Sequence, residues 1–236
     1  MKTRHLARWA GACTRAVVLS ALAGSAAADA TPHERMAPLK EYLMPPASEI
    51  ALARSAAPAA ISEKATILTL NSQGYQTAVR GTNGFTCLVE RSWMQPSDSS
   101  DFWDPKFRGV GCYNLAAARS VLEYTFRRTK LALAGDSKEK ILGEVRAAAA
   151  RNELPAPEPG AMSYMMSKDG YLGADVGHWH PHLMFHVPKV AAASWGANLS
   201  GSPVVFDDRE VQEPEPESIF MVPVSHWSDG TTAAAH

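Results

Sequence analysis

The sequence is short of the features that usually mark enzyme classes. It holds no Gly-rich phosphate loop, no Gly-x-Ser-x-Gly elbow, no His-Glu-x-x-His pattern and no Cys-x-x-Cys pair. Their absence removes the usual sequence signals of nucleotide binding, serine-hydrolase action, zinc proteolysis and thiol redox chemistry. No cluster of Lys or Arg follows residue 30, so nucleic acid is excluded as a partner on the lack of concentrated positive charge. No apolar run approaches the roughly 20 residues of a membrane span. Cysteine is scarce at 3 of 236 residues, and Cys13 lies in the first thirty.

Those first thirty residues have their own pattern. Lys2, Arg4, Arg8 and Arg15 form a basic leader, Ala16 to Ala23 is a short apolar run, and Ala28-Asp29-Ala30 is a small-x-small cleavage sequence. This is the order of an export signal, expected over residues 1–30 with cleavage near Ala30, and it implies a periplasmic or extracellular destination. The leader takes four of the 23 basic and one of the 24 acidic residues with it, leaving residues 31–236 with 19 and 23 and a formal charge of −4. In an oxidising compartment the remaining pair, Cys87 and Cys112, is expected to form a disulfide across about 25 residues.

The organisation past the leader is read as follows. Residues 31–46, with Pro32, Pro38, Pro45 and Pro46, form an extended arm; residues 47–227 form one domain; residues 228–236 are a fraying tail. Ser48 to Ala57 is a short helix. Ala65 to Leu70 is a strand, and Tyr75–Arg80 and Phe85–Ser92 flank Asn83-Gly84, which predicts a hairpin because both turn residues tolerate positive φ. In the second of these strands Phe85, Cys87 and Val89 share one face, Leu88 and Glu90 the other. Trp93 to Gly111 is a long loop whose four large aromatics, Trp93, Phe102, Trp103 and Phe107, predict that it is held down on the core or covers a site. Its Asp98, Asp101 and Asp104 lack the spacing of a calcium loop and read as solvated.

Asn114 caps a helix running to about Leu133, with Leu115, Ala118, Leu122 and Phe126 at helical spacing. Asp136 and Glu139 have capping-box spacing and open a second helix to about Asn152. Ser137 and Lys140 match a Ser-x-x-Lys spacing that this helix start accounts for. The later segments are β-type: Met162 to Met166, a Lys168-Asp169-Gly170 turn with Tyr171-Leu172, the histidine segment, Pro203–Phe206 and Ile219–Val222. Strands, two helices and strands again predict an α+β fold, a mainly antiparallel sheet packed against a central antiparallel helix pair.

The chemical signal lies in Gly177-His-Trp-His-Pro-His-Leu-Met-Phe-His-Val-Pro188. At the two-residue period of a strand, His178, His180, His182, Met184 and His186 fall on one face and Trp179, Pro181, Leu183, Phe185 and Val187 on the other. Four of the eight histidines thus line one strand. Neighbouring imidazoles, rooted roughly 6.5–7 Å apart, reach a shared ion at about 2.0–2.1 Å by leaning together. His178 and His180 are the candidate ligand pair for zinc or copper, His182 a third if Pro181 bends the strand, and His226 the contribution from elsewhere. Glu90 is the candidate base, and Met184 favours a soft ion. Two functions follow. One is a non-catalytic exported protein that binds a small ligand or a metal ion; the other is a secreted metal-dependent hydrolase using the same histidines.

Overall fold

The computed structural model describes residues 34–174 and 176–234, so the export signal expected over residues 1–30 lies outside the described residues. Chain order gives α1 (Pro46–Arg54), α2 (Ala59–Ser62), β1 (Thr66–Asn71), β2 (Gly74–Val79), β3 (Thr86–Glu90), β4 (Gly109–Tyr113), α3 (Leu115–Ser120), α4 (Leu122–Leu133), α5 (Lys138–Ala150), β5 (Met162–Met165), β6 (His182–Pro188), β7 (Val205–Phe206) and β8 (Glu217–Pro223). The strands form one sheet in the order β2-β1-β3-β4-β5-β6-β8-β7, antiparallel except where β3 runs parallel to β1. This is the expected α+β class.

Local chemistry sets the helices. Asn114 accepts the Ala117 N–H at 2.9 Å to start α3, and Ser137 accepts the Lys140 N–H at 3.3 Å to start α5. Between α4 and α5 the chain turns at Gly135, which sits at φ +82°. The Gly135 N–H returns to the Ala132 carbonyl and the Asp136 N–H to that of Leu131, a Schellman closure that only a residue tolerating left-handed backbone completes cheaply. The long helix expected over 114–133 is interrupted at Val121, so it is two segments, α3 and α4.

Strand pairing departs from the sequence reading in two places. The hairpin is β1–β2, closed at Asn71–Gly74, and not the expected pair about Asn83-Gly84; β3 instead pairs with the other side of β1, in parallel. Asn83 is spent differently, its side-chain amide donating to the Ile61 carbonyl and its Oδ1 accepting from Phe85 N–H. Tyr171 does not return along β5 either. It bridges to Arg108, and β5 pairs with β6 across a long connection from 166 to 181.

The sheet has two unlike faces. Cys87, Val89, Val110 and Cys112 pack with Ile67 against Ala53 of α1 and Ala56 and Ala57 just beyond it. On this face Cys87 and Cys112, directly paired in register, form the expected disulfide. The opposite face carries Leu88 and Tyr113, covered by Ala117, Val121, Leu122 and Tyr124 of α3 and α4. The aromatic loop is held down as expected, with Trp93, Phe102, Trp103 and Phe107 all buried. Two buried ion pairs fasten the periphery. Arg91 reaches Glu49 of α1 at 2.7 Å and the Tyr42 carbonyl of the arm, and Arg128 of α4 holds Glu215 at 2.6 Å and Glu213 at 3.1 Å, ahead of β8. Residues 228–234 turn back on themselves through Trp227 N–H to Thr231 and Ala233 N–H to Ser225.

Because the disulfide closes a loop 25 positions long, Cys87→Ala/Cys112→Ala is expected to lower unfolding free energy by about 3 kcal/mol. Urea denaturation of oxidised protein measures it; a loss below about 1 kcal/mol would contradict the expectation.

Candidate functional site

The helix-facing side of the sheet is not fully covered. α3 packs on β4 and β5, while α4 packs on β2 and on the turn after β3. The equivalent side of β6 and β8 therefore faces a cavity of about 200 Å³. Its apolar wall comes from Met184, Ile219 and Met221 of the strands, Val121 and Tyr124 of the helices, and Phe107, Met94 and Trp179 of the two long loops. Val176 and Arg209 are the exposed lining residues and mark its mouth. Glu90, Tyr113, Thr125, His182, His186 and Glu217 are its buried polar members.

Register explains why these groups meet. Glu90 faces Gly109 across the β3–β4 pair, and Leu88 faces Gly111. With no side chain at 111, the Tyr113 ring lies along its own strand; a Cβ there would stand 2.7 Å from Tyr113 Cε2. The ring thereby points its hydroxyl to Glu90 Oε1 at 2.8 Å, and Thr125 of α4 adds a second hydroxyl at 3.1 Å. Burial pushes the Glu90 carboxyl above the usual carboxylate range, while the hydroxyls of Tyr113 and Thr125 pull the other way.

A second network crosses three neighbouring strands. His186 of β6 donates Nδ1–H to Glu217 of β8 at 2.9 Å, and its Nε2 accepts from the Ser163 hydroxyl of β5 at 3.0 Å. A hydroxyl, imidazole and carboxylate in a row is the constellation of an activated nucleophile. Ser163, however, is 1% exposed and does not border the cavity. Its hydroxyl therefore fixes the imidazole, and His186 and Glu217 present themselves to the cavity as a satisfied pair.

His182 differs. Its Nδ1 lies 2.7 Å from the His180 carbonyl, an acceptor only, so Nδ1 carries the hydrogen. Burial lowers the basicity of the ring and favours its neutral form, against the pull of the His180 carbonyl. Nε2 is then a lone pair, and it is buried without a hydrogen-bond partner.

The sequence-predicted residues separate into two groups. Glu90 and His182 line the same cavity, together with Met184 and His186. His178 and His180 precede β6, which starts at His182; the strand-face reading holds for His182, Met184 and His186 alone. His178 packs edge-on against Tyr171, and His226 is exposed beyond β8, hydrogen-bonded to Ser225. Among the described residues no group of three or more His, Cys, Asp or Glu side chains is arranged to hold a metal ion. Asp104 is buried and accepts from Lys106 N–H, so it fastens the loop and is not a solvated group, while Asp101 is half-buried and accepts from Ala174 N–H. Sequence reasoning missed Tyr113, Thr125, Ser163 and Glu217. The available signal was Glu217-x-Ile219-x-Met221, an acid heading an alternating apolar face. A comparison with family models, curated proteins and solved structures finds no match for this chain.

The raised Glu90 carboxyl carries a pH signature. Between its unfolded value, 4.5, and the higher native one, the native state keeps a proton the unfolded state has lost, so stability falls as pH rises. Glu90→Gln cannot titrate. The stability of Glu90→Gln relative to the parent is expected to increase with pH above about 4.5, read by chemical denaturation at a series of pH values. Parallel curves would refute it.

Proposed function

We propose that this chain is an exported binding protein for a small, largely apolar molecule, held in the cavity between β6, β8 and α4. The observation that carries the reading is a cavity whose wall is methionine, aromatic and aliphatic, with a few buried polar groups converging on it. Thioether side chains are unbranched and polarisable, and they adapt to a guest. Export is supported by the order of the leader and by a disulfide, which suits an oxidising compartment. Binding is favoured over turnover because Ser163, the hydroxyl aligned with the His186–Glu217 pair, does not border the cavity.

Cavity size limits the guest. A cavity of about 150 Å³ takes one benzene ring, so about 200 Å³ admits a molecule of about ten non-hydrogen atoms. Toluene is expected to bind with Kd about 0.1–1 mM, measured by ligand-observed NMR on the secreted protein. Met184→Phe, which extends a ring into the space, is expected to weaken toluene at least tenfold with little change in melting temperature. Equal binding by both proteins would remove the cavity as the site.

A further inference from the structure

We infer that the molecule held in this cavity is a small organic amine, its ammonium group received by the carboxyl of Glu90 and its hydrocarbon body by the surrounding methionines and rings. The inference rests on the cavity reading above and adds the chemical class of the guest. It comes from counting hydrogens on the buried polar groups.

The Tyr113 and Thr125 hydroxyls are both donated to Glu90 Oε1. The Tyr124 hydroxyl is donated to the Pro155 carbonyl. The imidazole hydrogen of His186 goes to Glu217 and that of His182 to the His180 carbonyl. The buried hydroxyls and imidazoles of the lining have thus spent their hydrogens on the protein. What remains is Glu90 Oε2, which has no partner among the described residues and accepts once the carboxyl is ionised, and the orphaned Nε2 of His182. The other side-chain N–H groups on the lining belong to Gln95, Trp179 and Arg209, which are half-buried or exposed.

Charge points the same way. Glu90, Asp207 and Glu217 line the cavity against a single cationic side chain, Arg209. Arg209 and Asp207 form a forked pair, with Nη2 to Oδ2 at 2.6 Å and Nε to Oδ1 at 3.0 Å. The buried end is left with Glu90 and Glu217, and the rings of Phe107, Tyr113, Tyr124 and Trp179 offer faces that attract a cation. An anionic guest would meet two carboxyl groups there and no buried Lys or Arg of the lining. Burial favours the neutral form of Glu90 while the cavity is empty; an arriving free amine takes the carboxyl proton, and the ammonium group so formed is held by the carboxylate it leaves.

The test is calorimetric titration of the secreted, disulfide-bonded protein with benzylamine, toluene, benzyl alcohol and benzoate, which share one ring and differ in the polar group. Benzylamine is expected to bind at least tenfold tighter than toluene or benzyl alcohol, with benzoate weakest. Glu90→Gln keeps the acceptor for both hydroxyls but lacks the charge, and is expected to reduce the benzylamine-to-toluene ratio below threefold. The ratio in the parent protein is a readout that does not depend on the variant folding. Toluene and benzylamine binding equally, or benzoate binding most tightly, would overturn the amine inference and leave the cavity reading standing. Failure of all four to bind would remove the cavity reading and the inference with it.

Discussion

A carboxyl or imidazole withdrawn from water must find a partner or lose its charge, and that requirement organises the helix-facing side of this sheet. Glu90, His182, His186 and Glu217 lie in a layer otherwise built of leucine, methionine and aromatic side chains. An unmet polar atom in such a layer costs about 1–3 kcal/mol. Tyr113 and Thr125 answer Glu90, while Glu217 and Ser163 answer both nitrogens of His186. Strand register, glycines and helix placement all serve these pairings. Where the answers stop, at Glu90 Oε2 and His182 Nε2, the structure has room and unpartnered polar atoms together.

Two backbone features make the arrangement possible. Gly111 lets the Tyr113 ring lie along β4 so that its hydroxyl reaches past Gly111 to Glu90, which stands opposite Gly109. Helix α3 covers β4 and β5 and α4 covers β2 and the turn after β3, which leaves β6 and β8, whose methionines line open space. Buried ion pairs then hold the borders. Arg128 joins α4 to the segment leading into β8, and Arg91 joins β3 to α1 and the arm. Each is remote from solvent, so removing one member strands a buried charge; such losses run to about 3–5 kcal/mol. The borders are therefore rigid where the interior is not filled.

The loops complete the cavity and share its fastening. Met94, Phe107 and Trp179 reach it from two long connections that are themselves tied together, Gln95 to the Leu172 carbonyl and Asp101 to Ala174 N–H. The first of these connections both packs on the core, through Trp93, Phe102 and Trp103, and borders the cavity, through Met94 and Phe107. Its aromatic content is the physical reason a loop of that length stays ordered: the rings bury enough area to offset the chain entropy lost.

By itself the sequence determined everything governed by neighbours along the chain. The period-two alternation put His182, Met184 and His186 on one face and separated Cys87 from Glu90, because successive side chains of a strand must point oppositely. Asn114, Ser137 and Gly135 set the helix ends through bonds spanning three to five residues. Only the tertiary structure decided which strands meet. Asn83-Gly84 carries hairpin chemistry, yet β1 pairs with β2 on one side and in parallel with β3 on the other, since burial of Ile67, Cys87 and Val89 against α1 outweighs a local turn preference. The same holds for the site. Glu90, Tyr113, Thr125, Ser163, His186 and Glu217 come from six separate elements, and no spacing relates them; long-range register and packing alone bring their atoms within hydrogen-bonding distance.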